Sequence, residues 1–385
     1  MAEGCCGNDP HIHKGTGNVK LAINATFLNE KPTGAASFAK EVSPVLSRLC
    51  EGMVFFSPVE CRGVPPDSIV RVPDGVRGST RLSNNLYRFL YINAVLPVLC
   101  RRKKIDVLYC PILEFPFIPL VPAVVHIHDL HFIHFPSEFG LAAPRMKLSL
   151  RLVNRSVRRT VVSSEFIKGE LLRSTMITEE MIDVVPLAYN STLFKPVPSE
   201  EKEDFLKRYR IRGKYILFIG SLFPYKNLET LEEAFGKIKD RIPHSLVVVG
   251  RREFALEERR EDRRILYADY VPAEDLPFFY SCADLFVYPS LREGFGIPPL
   301  EAMACGTPVI SSYGGSLPEV VGEAGILFDP LDSSLLAEMI LKVLDDEPLR
   351  RQLIEKGFSR IMKFSWERTA AGILRSCEKA LRKTE

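Results

Sequence analysis

The chain has 385 residues, more than one typical hydrophobic core accommodates, so two domains of about 150 to 200 residues are expected. Its 46% hydrophobic and 26% charged residues exclude a disordered, collagen-like or coiled-coil chain, and a formal net charge of +3 gives no mandate for binding nucleic acid. Residues 1–195 nonetheless carry 23 Lys and Arg against 17 Asp and Glu, and the remainder 28 against 31; halves of opposite sign suggest two domains with different partners.

From the N terminus, residues 1–18 form a polar tail, expected to be disordered, that lacks the apolar core of a signal peptide. The nine cysteines show no C-x-x-C pair and no regular spacing, so a reducing cytoplasm is the default setting. Short Val- and Ile-rich runs then recur: KLAIN (20–24), VFFS (54–57), DVLYC (106–110), AVVHIHD (123–129) and RTVVSS (159–164). Separated by helical patterns, they predict parallel strands buried on both faces. Between the second and third runs, Phe89 to Cys100 is lipid-like but is interrupted by Asn93 and Pro97 and followed at once by Arg101, Arg102, Lys103 and Lys104. It is too short to span a bilayer and reads as a buried helix ending in a solvated basic turn, with peripheral membrane contact as the alternative. In a second basic stretch, Pro144 to Arg159, Leu148, Leu152 and Val153 fall at helical spacing among the cations. That stretch is the stronger candidate for docking on the inner face of an anionic membrane, against the reading of an ordinary core helix.

A proline-punctuated stretch near residues 184–201 breaks the rhythm, and YILFIG (215–220), SLVVVG (245–250), DLFVYP (284–289) and PVISS (308–312) form a second series. Two β/α series joined by one linker predict an α/β protein of two Rossmann-like domains facing a central cleft. From Ser333 onward the chain reads as helical and holds its only tryptophan, Trp366. There is no G-x-G-x-x-G after a strand, no G-x-x-x-x-G-K-[ST], no H-E-x-x-H and no G-x-S-x-G. Nicotinamide, P-loop, zincin and nucleophile-elbow chemistry therefore have no support.

The densest signal is SLREGFGIPPLE, Ser290 to Glu301, directly after DLFVYP. Gly294 and Gly296 let backbone N–H groups approach a ligand, and Pro298 and Pro299 suit the first turn of a following helix. Glu293 precedes that turn and Glu301 is expected inside it; carboxylates there suit the paired hydroxyls of a sugar or ribose. GSLFPYKN, Gly220 to Asn227, leaves the first strand of the second series, where a parallel sheet places phosphates and where Lys226 supplies positive charge. Together the two segments suggest a nucleotide diphosphate joined to a polyol. HIHDLHFIH, residues 126 to 134, invites a metal reading, but its spacing departs from the di-metal H-x-H-x-D-H pattern and its phenylalanines interleave as core residues do. A strand tip offering His128 and Asp129 is the better reading, with no metal site.

Residues 292 to 332, REGFGIPPLEAMACGTPVISSYGGSLPEVVGEAGILFDPLD, closely resemble the glutamate-x7-glutamate region of retaining glycosyltransferases with the GT-B fold, family four or group 1. Further matches run over nearly the whole chain from about residue 19, among them TGAASFAKEV, HDLHFIHFP, VSSEFIKGEL, VPLAYNSTLF, GSLFPYKNLETLEEAF, YADYVPAEDLPFFYSCADLFVYPSLREGFG and FSWERTA.

The resemblance implies an acceptor domain over 19–190, a nucleotide-sugar donor domain over 191–365 and a C-terminal helix, 366–385, crossing back onto the first domain. It implies retention of anomeric configuration, no metal and no cofactor beyond the donor substrate. Glu293 would hold donor-sugar hydroxyls and Glu301 the ribose. Gly294, Phe295, Gly296 and Ile297 would line sugar and phosphate, with Gly220 and Ser221 beside them, and Tyr270 and Val271 would flank the base. Lys226 would neutralise the diphosphate, Gly34 would face the donor phosphate and His128 would approach the transferred sugar. Many members place an arginine where this chain has Ser221, so phosphate neutralisation would rest on Lys226 alone or with Arg251. The variants REGFGIPPLEAMACGTPV and SLPEVVGEAG resemble most those of mannosyl and related deoxyhexosyl transferases of surface polysaccharide assembly. That points to GDP-mannose, with UDP-hexose or dTDP-rhamnose as alternative donors and a glycan or lipid-linked glycan as acceptor. A glycosidase using Glu293 and Glu301 is a second enzymatic reading; a metal-dependent hydrolase built on the histidines and a non-catalytic sugar-nucleotide binding module are the others.

Overall fold

A computed structural model describes residues 19–28, 34–76, 82–140, 142–250, 262–269 and 271–382, with side chains 82–85 left aside. The expected disordered tail, residues 1–18, lies outside them. The chain divides into two compact units, one running to Pro186 and resuming at Trp366, the other spanning Leu187–Ser365.

The first unit is built on seven strands, β1 Leu21–Asn24, β2 Val54–Ser57, β3 Ile69–Arg71, β4 Val107–Cys110, β5 Ala123–Ile127, β6 Arg159–Val162 and β7 Ile182–Val184. They pair in parallel in the order β3-β2-β1-β4-β5-β6-β7. The interior strands β1, β4 and β5 are buried residue for residue, as their unbroken apolar runs require in a sheet covered on both faces. The last helix, Trp366–Leu381, belongs to this unit. Gly372 lets it approach the sheet edge so closely that a Cβ there would lie 2.7 Å from Val185. Asp183 on β7 fixes it further, accepting from Ser376 Oγ at 2.8 Å and Lys379 Nζ at 2.5 Å and pairing with Arg159 at 2.8 Å. Although burial works the other way, these partners hold the Asp183 carboxyl below its ordinary pKa.

The second unit has six strands, β8 Tyr215–Ile219, β9 Ser245–Val249, β10 Ile265–Ala268, β11 Leu285–Tyr288, β12 Val309–Ser312 and β13 Ile326–Phe328. Their order is β10-β9-β8-β11-β12-β13, parallel throughout. Helix Leu228–Ile238 turns Leu228, Leu231, Ala234, Phe235 and Ile238 onto this sheet, the 3-4 spacing of an amphipathic helix. Both units are thus Rossmann-like parallel sheets, and each strand order reverses once: between β1 and β4 in the first, and between β8 and β11 in the second.

Two helix expectations change. The 144–159 stretch is a core helix, Ala142–Ser156, that buries Ala143, Ser149, Leu150, Val153 and Ser156. Of the residues expected in an exposed stripe, Leu148 is exposed and Leu152 half-buried, whereas Val153 faces inward because the sheet needs cover there, and Arg145 is paired to Glu114 at 2.8 Å. The Phe89–Cys100 stretch is helical, but only one of its faces is buried.

Candidate functional site

The segments leaving the carboxyl ends of β8 and β11, at the reversal of the second sheet, are those carrying Lys226 and Glu293. Open parallel sheets receive ligands at such a point. Lys226 ends the short turn Pro224–Lys226. Asn227 locks that turn by adopting the left-handed conformation, φ 57°, and by donating its side-chain amide to the carbonyls of Pro289, at 3.0 Å, and Pro330, at 2.7 Å. Lys226 Nζ then lies 2.6 Å from Glu293 Oε1 and donates to the Tyr288 hydroxyl at 2.8 Å. Tyr288 donates its own proton to the same Glu293 oxygen at 3.0 Å. Glu293 is only 6% exposed. Burial, then the Glu293 charge and hydrogen bond, pushes the Tyr288 pKa well above the ordinary phenol range, so the hydroxyl keeps the proton it donates.

The glutamate segment is held from behind by Gly314, Gly315 and Ser316. Glu293 forms a parallel bridge with Gly315, and its carbonyl accepts from Ser316 N at 3.0 Å and Ser316 Oγ at 3.1 Å. Gly315 sits at φ +71°, and a Cβ on it would be 2.3 Å from the Glu293 carbonyl oxygen; one on Gly314 would be 2.0 Å from that of Ser290. Only glycine permits this approach. The segment also donates Leu291 N to the Tyr225 carbonyl at 2.8 Å, which ties it to the Lys226 turn.

Gly294, Phe295 and Gly296 continue into helix Ile297–Ala304, with Gly296 as its N-cap at φ 94° and the two prolines in its first turn. Ile297 opens the helix. Glu301 is its fifth residue, in the second turn and not the first, because the cap falls at Gly296. It accepts from the Tyr280 hydroxyl at 2.9 Å; burial, then the Glu301 charge, drives the Tyr280 pKa well up. Gly220 and Ser221 follow β8, half-buried, and Gly220 N pairs with the Val249 carbonyl at 3.0 Å. Val271 is buried just beyond β10. Arg251 and Tyr270 lie outside the described residues. The site thus joins Lys226 and Glu293 directly. The sequence reading missed Tyr288, Tyr280 and the Gly314–Gly315 pair; two adjacent glycines right after a strand were the available signal for the last.

In the first unit, His128 follows β5 directly but is no free strand tip. Its Nε2 lies 2.8 Å from the Pro111 carbonyl, which can only accept, so that nitrogen carries the proton. Its Nδ1 must then accept from Ser163 Oγ at 3.2 Å. Ser163, its one proton spent, accepts from His126 Nε2 at 3.2 Å, and His126 Nδ1 accepts from the Tyr109 hydroxyl at 2.8 Å. One carbonyl therefore sets the tautomer of two rings that stack with centroids 4.0 Å apart. Burial lowers the pKa of both: that of His126 well below the ordinary range, and that of His128 against the opposing pull of the Pro111 carbonyl and Asp129. The other two histidines of the cluster diverge, His131 toward Asp129 at 3.6 Å and His134 toward Glu170 at 3.2 Å. Among the described residues no three His, Cys, Asp or Glu side chains form a metal-ligand set. Gly34 opens helix Gly34–Leu49; among the described residues a Cβ there would meet nothing within 4 Å, so the fold itself does not demand a glycine.

Two Rossmann-like parallel sheets make up the GT-B fold, and in this chain a Lys–Glu–Tyr cluster stands at the strand-order reversal of the second. Residues 201–360 match the family described as Glycosyl transferases group 1. Escherichia coli O-antigen chain mannosyltransferase B is 35% identical over 232 residues, 58% of this chain and 61% of its own length, so the chain spans about three fifths of that relative. Anabaena HepE, solved with UDP and glucose, superposes with a TM-score of 0.71 at 17% identity over 94% of this chain and 100% of its own. The catalytic domain of Arabidopsis thaliana starch synthase IV, solved with ADP and acarbose, gives 0.73 at 14% identity over 94% and 99%. At these identities the two structures speak for the fold.

Proposed function

We propose that the protein is a retaining, metal-independent glycosyltransferase that moves a hexose from a nucleotide diphosphate sugar, GDP-mannose first, to a glycan or lipid-linked glycan acceptor. The observation carrying this reading is the buried Lys226–Glu293–Tyr288 cluster at the strand-order reversal of a group 1 domain. An ammonium has three N–H donors. Glu293 and Tyr288 take two, which leaves a third to meet a diphosphate oxygen as negative charge grows on the leaving group. Glu293 would offer sugar hydroxyls an acceptor whose charge Lys226 and Tyr288 hold, and Glu301, which accepts from Tyr280, would take a ribose diol. The leaving phosphate oxygen itself takes the acceptor proton. In the first unit, Gly34 and His128 mark the part that meets a ligand, His128 as a neutral ring. The mannose donor is supported by the O-antigen relative's name, whereas HepE, with UDP and glucose, keeps a UDP-hexose as the second choice.

The test is transfer of labelled mannose from GDP-mannose to mannose-terminated and lipid-linked glycans in the presence of a chelator, with the new linkage read by proton NMR. An α-linked product formed with the chelator present supports the reading. A β-linked product, chelator-sensitive transfer, or cleavage of simple glycosides without nucleotide overturns it.

A further inference from the structure

We infer that the outer face of the helical span from Leu82 to Arg102, with the basic turn that follows, docks the first unit on an anionic lipid surface. The inference stands on this surface alone, whichever sugar is transferred. The span is continuous: an α-helix Leu82–Leu90, a π-turn Tyr91–Val95 and an α-helix Leu96–Arg102. The widened turn falls just before Pro97, which has no N–H to return and whose ring would crowd the Asn93 carbonyl in a regular helix. Arg88, Tyr91, Ile92, Leu96, Pro97 and Cys100 form the buried face.

The opposite face is apolar as well. Leu86 is 59% exposed and Leu90 53%, and Tyr87, Val95 and Val98 are each more than a third exposed. A helix apolar all round is ordinarily covered all round; here nothing among the described residues of the unit covers the outer side. The neighbouring loop adds to the patch. Phe117 packs on Phe89 with ring centroids 5.6 Å apart, and the next residue, Ile118, is 78% exposed.

Charge selects the occupant. No Asp or Glu occurs between Asp74 and Asp106, and the stripe ends in Arg101, Arg102, Lys103 and Lys104, all exposed. Among the described residues none of these four makes an ion pair. Apolar side chains followed by unopposed cations fit an interfacial helix lying on acidic headgroups. No helix among the described residues is long and apolar enough to cross a membrane, so the contact is with the surface. The helix Ala142–Ser156, by contrast, buries Leu150 and Val153 and exposes a single large apolar side chain, Leu148.

The full chain is sedimented with vesicles of phosphatidylcholine alone or mixed with phosphatidylglycerol, at low and high salt. The wild type is expected on the mixed vesicles at low salt, with release at high salt. Since each cation near an anionic surface strengthens binding about fivefold, R101E/R102E/K103E/K104E should weaken it by about a hundredfold or more. L86S/L90S/V98S should weaken it by at least about tenfold, and K147E/R151E/R155E should leave it unchanged. Hydrogen exchange on the wild type gives a readout that needs no variant: added mixed vesicles should protect residues 86–104 and leave 145–155 as they were. Failure of the wild type to bind mixed vesicles at low salt overturns the inference. So does equal loss in K147E/R151E/R155E, or a self-association in solution that L86S/L90S/V98S abolishes.

Discussion

Lys226 Nζ and Glu293 Oε1 stand 2.6 Å apart, a buried ion pair between the two residues that the sequence reading assigned to different parts of a donor, the diphosphate and the sugar. Neither charge is solvated well enough to stand alone, so the two act as one unit. Removing one partner of a buried pair leaves the other uncompensated, at a cost of about 3 kcal/mol. Lys226→Met should therefore lose about that much in urea unfolding, while Lys226→Met combined with Glu293→Gln should recover most of it. Additive losses would show that the pair is not coupled. In catalysis, Lys226→Ala should lower turnover at saturating donor by roughly a hundredfold, which steady-state kinetics would reveal.

The glycines behind the glutamate segment make a second prediction. Gly315→Ala introduces a side chain at φ +71° and 2.3 Å from the Glu293 carbonyl oxygen, so it should cost about 2 kcal/mol or more and displace Glu293. Gly34→Ala should leave the melting temperature unchanged, since a Cβ there meets nothing among the described residues. Differential scanning calorimetry of the two variants would expose an error if they shifted alike.

The histidine chain predicts acid sensitivity. His126 and His128 are neutral when folded because burial lowers their pKa values, whereas the unfolded chain takes up protons near the ordinary 6.5. Their contribution is therefore complete above about pH 6.5 and is lost as the pH falls from there toward the lowered folded values, with a slope of up to about 1.4 kcal/mol per pH unit for each proton. Ser163→Ala, which strips a partner from both rings, should cost about 1–3 kcal/mol at neutral pH. Chemical denaturation across pH 5 to about 8 checks both points; stability that rises on acidification would contradict the assigned tautomers.

Much of this architecture was legible in the sequence, and the part that was not has a physical reason. All nine runs read as strands are strands, from KLAIN to PVISS. The four strands not read, β3, β7, β10 and β13, are the four sheet edges. Edges are half-exposed and short, so their apolar runs are broken, as in the three residues of Ile69–Arg71. At the site, residue types chosen for charge were found and neutral supports were missed. Tyr288 and Tyr280 read as core aromatics because nothing local shows that their hydroxyls reach Glu293 and Glu301. Likewise the His128 tautomer depends on Pro111 and Ser163, residues 17 and 35 positions away.

Nucleotide-sugar binding by the second unit is the central claim, and calorimetric titration of wild type and Glu301→Ala with GDP-mannose, UDP-glucose and dTDP-rhamnose tests it most directly. Saturable heat is expected with a nucleotide sugar, GDP-mannose tightest, with a loss of about 2–3 kcal/mol in the folded Glu301→Ala variant as a charged hydrogen-bond partner is removed. Absence of heat with all three ligands, or unchanged affinity in that variant, would contradict it.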